Sequence, residues 1–168
     1  MRKLVLFFLF ALLPFAAQAQ LKFGYLSYSG AIKMLPGYTI MQENMARLKA
    51  QYDKEAQRAE DDFNAKYQAF LEVQNTLATP ILRKRQAELQ ELIDKNVAFK
   101  AEAERLLKQA EADMYAPLKT QLNKALKRIG EEQGYLLILN SDNDNLPYVN
   151  EMIGEDITTL VKEALTNQ

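Results

Sequence analysis

The sequence predicts a mainly α-helical protein with a small β body: one long antiparallel helical hairpin between two chain ends that combine into a β-sheet head. Three observations predict it. Only 6 Gly and 5 Pro interrupt the 168 residues, leaving long stretches of Ala, Leu, Glu, Lys, Gln and Arg, all good helix formers. The longest such stretch is broken once near its middle, at Thr79-Pro80. Apolar and aromatic segments of strand length flank it on both sides.

Residues 1–19 read as a secretory signal peptide. Met1-Arg2-Lys3 is basic, Leu4 to Phe15 is apolar, and Ala17-Gln18-Ala19 is a small-x-small cleavage signal. The apolar run is shorter than the roughly 20 residues that span a bilayer. With no Cys to accept a lipid, the mature chain is expected to be soluble in an exported compartment.

Residues 20–40 form the first part of the head. Leu21, Phe23 and Tyr25 alternate along a strand, Tyr28 to Leu35 suits a short helix, and Pro36-Gly37 is expected to stop it. The hairpin arm is assigned to residues 41–130, with its tip near 76–81. Helical periodicity begins at about Tyr38 and runs through Met41, Met45, Leu48, Tyr52, Ala56, Ala59, Phe63, Tyr67, Phe70 and Leu77. These steps follow an 11-residue repeat, which favours a nearly straight helix over a heptad coil. Thr79 is the expected N-cap of the second helix, with Pro80 at its first position. Its stripe is read as Leu82, Leu89, Ile93, Val97, Leu107, Ala110, Met114, Leu122, Ala125 and Ile129, ending near Gly130 or Gly134. Pro117 removes one backbone hydrogen bond inside it and is expected to bend it. Helices of about 40 and 50 residues joined by so short a connection must fold back on each other over roughly 60 to 75 Å.

Residues 131–168 supply the second part of the head. Tyr135 to Leu139 reads as a buried strand, Asp142 to Asn145 as a polar turn, Leu146 to Asn150 as a third strand, and Ile157, Leu160, Val161, Ala164 and Leu165 as one face of a closing helix. A head of this size buries little surface by itself, so association with other subunits is expected, through Phe23, Tyr25, Leu137 and Ile138.

Composition closes most catalytic routes. Without Cys or His there is no thiolate nucleophile, no imidazole base, and none of the usual zinc or haem ligands. Asp142 to Asn145 fails as a calcium loop, because Leu146, Pro147 and Ile153 stand where a ligand, Gly and Glu belong. The paired carboxylates Glu60-Asp61-Asp62 and Glu102/Glu104 lie on a solvated helix face, without the burial that separates pKa values. Neither an enzyme nor a cofactor is predicted. Charge is uneven: residues 81–130 carry 11 basic and 7 acidic side chains, residues 131–168 carry 1 and 8. Arg83-Lys84-Arg85 is the compact basic cluster, too small for a nucleic-acid face. It reads as a solvated surface or as a transient contact to an anionic membrane surface.

Three stretches carry a family likeness: Phe23-Gly-Tyr-Leu-Ser27 leading to Ile32-Lys-Met-Leu-Pro-Gly-Tyr38, Tyr115-Ala-Pro-Leu-Lys119 continuing through Ala125 to Leu139, and Asp156-Ile-Thr158. In these the chain resembles the Skp/OmpH family of periplasmic chaperones for outer-membrane proteins. The resemblance implies a homotrimer with a shared β body, from which three hairpins extend as tentacles around a cavity. It implies a periplasmic, ATP-independent holdase for unfolded outer-membrane β-barrel proteins. The best-known members are strongly basic, whereas this chain has a net charge of −1, and no lipopolysaccharide-binding motif carries over. Phe70, Leu71, Val73, Leu77, Ile81 and Leu82, gathered at the bend, are then the candidate client contacts. Phe70 and Leu77 also fit a role in zipping the arms together, while Leu71 and Val73 lie off that stripe. The alternative is an exported coiled-coil tether or adaptor that recognises one folded partner.

Overall fold

A computed structural model describes residues 22–166, so the expected signal peptide and Leu21 lie outside the described residues. The elements are β1 (Phe23–Leu26), α1 (Tyr28–Lys33), α2 (Pro36–Val73), a 3-10 turn (Gln74–Thr76), α3 (Thr79–Gln133), β2 (Ile138–Asn140), a second 3-10 turn (Asp142–Asp144), β3 (Gly154–Asp156) and α4 (Thr158–Thr166). They make two compact units. One is Ile32–Leu122; the other joins the described residues up to Ala31 with those from Asn123 onward.

The first unit is the helical hairpin. α1 ends at Lys33, ahead of Pro36 as expected, and Pro36 also starts the next helix, two residues earlier than expected. With no N–H to lose, it fits the first turn of α2, and Tyr38 N–H bonds the Leu35 carbonyl at 2.9 Å. α2 then runs 38 residues, roughly 57 Å. The start of α3 is shifted by one residue from the expected cap. The Ala78 carbonyl accepts from Ile81 and Leu82, at 2.9 and 3.0 Å, so Ala78 takes the capping position and Thr79 lies inside the first turn. Pro117 lies within α3, which is continuous through it. The two helices meet through Tyr52 and Phe99, whose rings are 6.1 Å apart, and through the Asn96 amide, which donates to the Ala59 carbonyl at 3.1 Å.

The covered stripe of α2 follows the sequence reading except at Tyr67, which is exposed. The middle of α3 does not. Its covered apolar and amide positions are Leu89, Leu92, Asn96, Phe99, Ala103, Leu106 and, as expected, Leu107, whereas Ile93 and Val97, expected in the seam, are exposed. A polar Asn in the seam hides the true period, because the neighbouring Val97 offers a more apolar alternative one position along.

The second unit is the head. Its sheet has the order β2-β1-β3, all parallel, with Gly24 opposite Ile138 and Phe23 opposite Gly154. The third strand is therefore Gly154–Asp156, not 146–150. Pro147 cannot donate to a ladder, and Asn150 closes a turn instead: its carbonyl accepts from Ile153 and Gly154, and its side chain accepts from Met152. The second strand also begins later than Tyr135, which is buried beside Gly134. Gly134 adopts φ +67 and ends α3 in the left-handed conformation that suits glycine.

One sheet face is closed. Leu26, Ala125, Ile129, Ile157, Val161 and Leu165 are buried, and a Cβ on Gly24 would lie 2.9 Å from Ile157 Cγ2. The connection after β1 is tied down by polar groups. The Ser27 hydroxyl donates to Asp142 Oδ1 at 2.6 Å, Ser29 N–H donates to Asp142 Oδ2 at 2.8 Å, and Tyr28 N–H donates to Asn140 Oδ1 at 3.1 Å. Asp142 thus serves as a structural anchor within its polar turn.

Candidate functional site

The hairpin presents two flanks between its helices, and helical spacing assigns residues to each. On one flank a cleft of about 520 Å³ opens near the bend, lined by Ala69, Phe70, Val73, Leu89 and Leu92, with Lys66, Arg85, Glu88, Glu91 and Lys95 around it. Its cations are engaged along their own helices: Lys66 with Asp62 at 2.7 Å, Arg85 with Glu88 at 3.0 Å, Lys95 with Glu91 at 2.7 Å.

The other flank carries the row Glu60, Asn64, Tyr67, Leu71 on α2 and the row Ile93, Val97, Lys100 on α3. Steps of three and four residues keep each row on one side of its helix. The Glu60–Lys100 ion pair, 3.4 Å across the seam, fixes both rows on the same side of the hairpin. Apolar surface is open here. Tyr67 is 41% exposed, Ile93 40% and Val97 64%, and the Phe63 ring stacks on Tyr67 at 5.8 Å.

The sequence-derived contact residues divide accordingly. Phe70 and Val73 line the cleft together, with Val73 exposed and Phe70 half-buried. Leu71 belongs to the opposite flank and is half-buried, not standing clear of the seam. Leu77, in the connection, and Leu82 are half-buried, whereas Ile81 is exposed; none of these three lines the cleft. Arg83, Lys84 and Arg85 are all exposed; Lys84 and Arg85 share the Glu88 carboxylate, at 3.8 and 3.0 Å, and Arg83 pairs with none of the described carboxylates. Met41 is buried, Met45 and Met114 are half-buried, and Met34 is exposed. Sequence reasoning missed Ile93 and Val97 as surface residues. The signal that could have found them is the pair Leu92-Ile93: two adjacent apolar residues cannot both face one narrow seam.

In the head, the register puts Phe23, Tyr25, Leu137 and Leu139 on the face opposite Gly24, and these are half-buried or exposed. Ile138 is opposite Gly24 and points to the closed face, 3.6 Å from a Cβ placed on Gly130, so it lies half-buried on the other side of the sheet from the other three. Further apolar groups stand open: Leu136 at 66%, Tyr148 at 79% and Met152 at 82% exposure. Among the described residues, both outer strands have one unpaired edge. The anchor carboxyl of Asp142 is held below the usual range, first by the Ser27 hydroxyl and then by the Ser29 backbone N–H. Burial pushes the Tyr135 hydroxyl upward; Glu155 adds to this electrostatically from outside hydrogen-bond geometry.

Among the described residues, no cluster of acidic side chains has the arrangement of a metal site, and no helix is long and apolar enough to cross a membrane. What the geometry offers is contact surface: a long two-helix arm with apolar groups open along its flank, and a small parallel-sheet head with an open apolar face. That is the class of helical-hairpin proteins with a small β body. The model of the outer membrane protein (OmpH-like) family matches residues 22–165, and the chain belongs to that family, a family of chaperones. No curated protein matches it.

Proposed function

We propose that the protein is an ATP-independent holdase that binds unfolded outer-membrane β-barrel proteins in the periplasm and keeps them from aggregating. The observation that carries this reading is the open apolar flank of Tyr67, Ile93 and Val97 on the hairpin of an OmpH-like chain. Apolar contact is non-directional, so such a flank suits chains without fixed structure. Export follows from the signal peptide, with cleavage after Ala19. Self-association as a homotrimer is supported by the open face of Phe23, Tyr25 and Leu137 and by the unpaired strand edges, which a second copy would cover. Arg83, Lys84 and Arg85 are then a contact for anionic membrane surface or acidic client segments, and Phe70, Val73 and Ile81 extend the client surface toward the bend.

The test is client breadth. Several unrelated barrel proteins, diluted from urea, should stay soluble at near-stoichiometric trimer. An adaptor would leave all of them to aggregate and retain one native partner instead, and that outcome refutes the holdase reading.

A further inference from the structure

We infer that Asn96 is a register pin: its amide, set in the seam between α2 and α3, fixes which residues of the two helices face each other. The apolar stripes do not fix this alone. On α2 the covered residues step as Met41, Met45, Leu48, Tyr52, Ala56, Ala59, Phe63, an 11-residue pattern. On α3 they step as Leu92, Asn96, Phe99, Ala103, Leu107, Ala110, Met114, the same pattern, with Leu106 covered beside Leu107. Two stripes of the same spacing bring one covered row opposite another again when one helix slides by a turn. Apolar contact does not choose strongly between such alignments.

Asn96 does choose. Its Nδ2 donates to the Ala59 carbonyl at 3.1 Å, and the group is partly buried. That carbonyl is already within the helix ladder, but an oxygen has two lone pairs and accepts a second donor. The approach needs a small residue opposite, and Ala59 supplies it. A one-turn slip that sets Asn96 against Phe63 places a ring over the amide and leaves its donors without a partner in the seam. A slip the other way sets it against Ala56, but moves Phe99 off Tyr52 and Lys100 away from Glu60. A lone Asn in a helix seam has this effect generally, at some cost in stability. The inference is independent of what the hairpin binds; the register decides only which residues of the Tyr67 row stand opposite Ile93 and Val97.

The sequence contains no cysteine, so an introduced pair reports register without background. Glu60→Cys with Lys100→Cys reads the observed register; Glu60→Cys with Glu104→Cys reads the slip toward Phe63. With Asn96 present, oxidation should link the first pair in preference to the second by roughly tenfold or more, assigned within one chain by peptide mapping. In an Asn96→Leu background the second pair should form at comparable yield, while the melting temperature rises by about 3 °C because an apolar group replaces the amide. Asn96→Ala, which keeps helix propensity and adds no bulk, should also admit the second pair. If both variants link only the first pair, packing sets the register and the inference is wrong. A melting temperature that falls while the register stays native overturns it equally.

Discussion

Replacing Ile93 and Val97 together by Ser strips apolar surface from the proposed client-binding flank while sparing the seam. Burying a whole Val or Ile side chain is worth about 1.5–3 kcal/mol. With 64% of Val97 and 40% of Ile93 open, complete covering by a client would gain about 2 kcal/mol for the two. An unfolded chain that covers them half of the time realises about 1 kcal/mol, or roughly fivefold in Kd. The helix itself should be unaffected, since Ser, Ile and Val have similar helix propensities. Fluorescence anisotropy of a labelled, urea-diluted barrel protein titrated with each variant gives the Kd directly; circular dichroism confirms an unchanged melt. Lys54→Ser with Gln68→Ser, exposed on the side of α2 away from the seam, should leave Kd within twofold. If the Ile93/Val97 variant keeps both its fold and its client affinity, the flank is not the binding surface.

Four further outcomes follow from the geometry. Gly24→Ala puts a Cβ 2.9 Å from Ile157 Cγ2, a branch methyl that cannot swing away, so about 1–3 kcal/mol of stability should be lost, and the loss should shrink when Ile157→Ala is added, as read by a double-mutant cycle. Leu137→Asp should leave the secondary structure intact but lower the mass seen by light scattering, whereas Ile138→Asp, charging the closed face, should unfold the head. Because the folded Asp142 carboxyl titrates below its unfolded value, its stabilisation is fully present above pH ~4 and disappears as pH falls through the folded pKa; the stability gap between the protein and Asp142→Ala should be constant from pH ~7 to ~5 and narrow below ~4. Pro117→Ala restores a backbone donor inside α3 and should raise the melting temperature, with a narrower range of client sizes held in a binding series.

The helical hairpin could be read from the sequence because its signals are redundant. A turn of α2 misplaced at one residue is corrected by the next, so the stripe from Met41 to Phe63 survives even with two alanines in it. In α3 that redundancy failed between residues 89 and 103, where Asn96 sits inside and Val97 outside, against the usual polarity rule. Hydrophobic period alone cannot recognise a polar group that earns its place through one hydrogen bond to a backbone carbonyl across the seam. Pro36 has two roles: it goes with an extended Leu35, so no helix runs through from α1, and it opens α2 two residues before the expected start, as the bond of Tyr38 onto Leu35 shows. β3 was displaced because a three-residue strand, Gly-Glu-Asp, carries no strand-forming side chain; its pairing with β1 is imposed from outside. The division of Ile138 from Leu137 and Tyr25 is a matter of register, and a sequence with no partner strand assigned has no register to read.

Site-specific photo-crosslinking from the hairpin tests the central claim most directly. The chain has no cysteine, so single Cys residues at 67, 93 and 97, with 54 and 152 as controls, can each carry a benzophenone label. Irradiated with an unfolded barrel protein, positions 67, 93 and 97 should link to it strongly and at many sites along the client, while 54 and 152 link weakly. Links confined to position 152 in the head, or all three flank positions meeting one fixed site on a folded partner, would contradict the account.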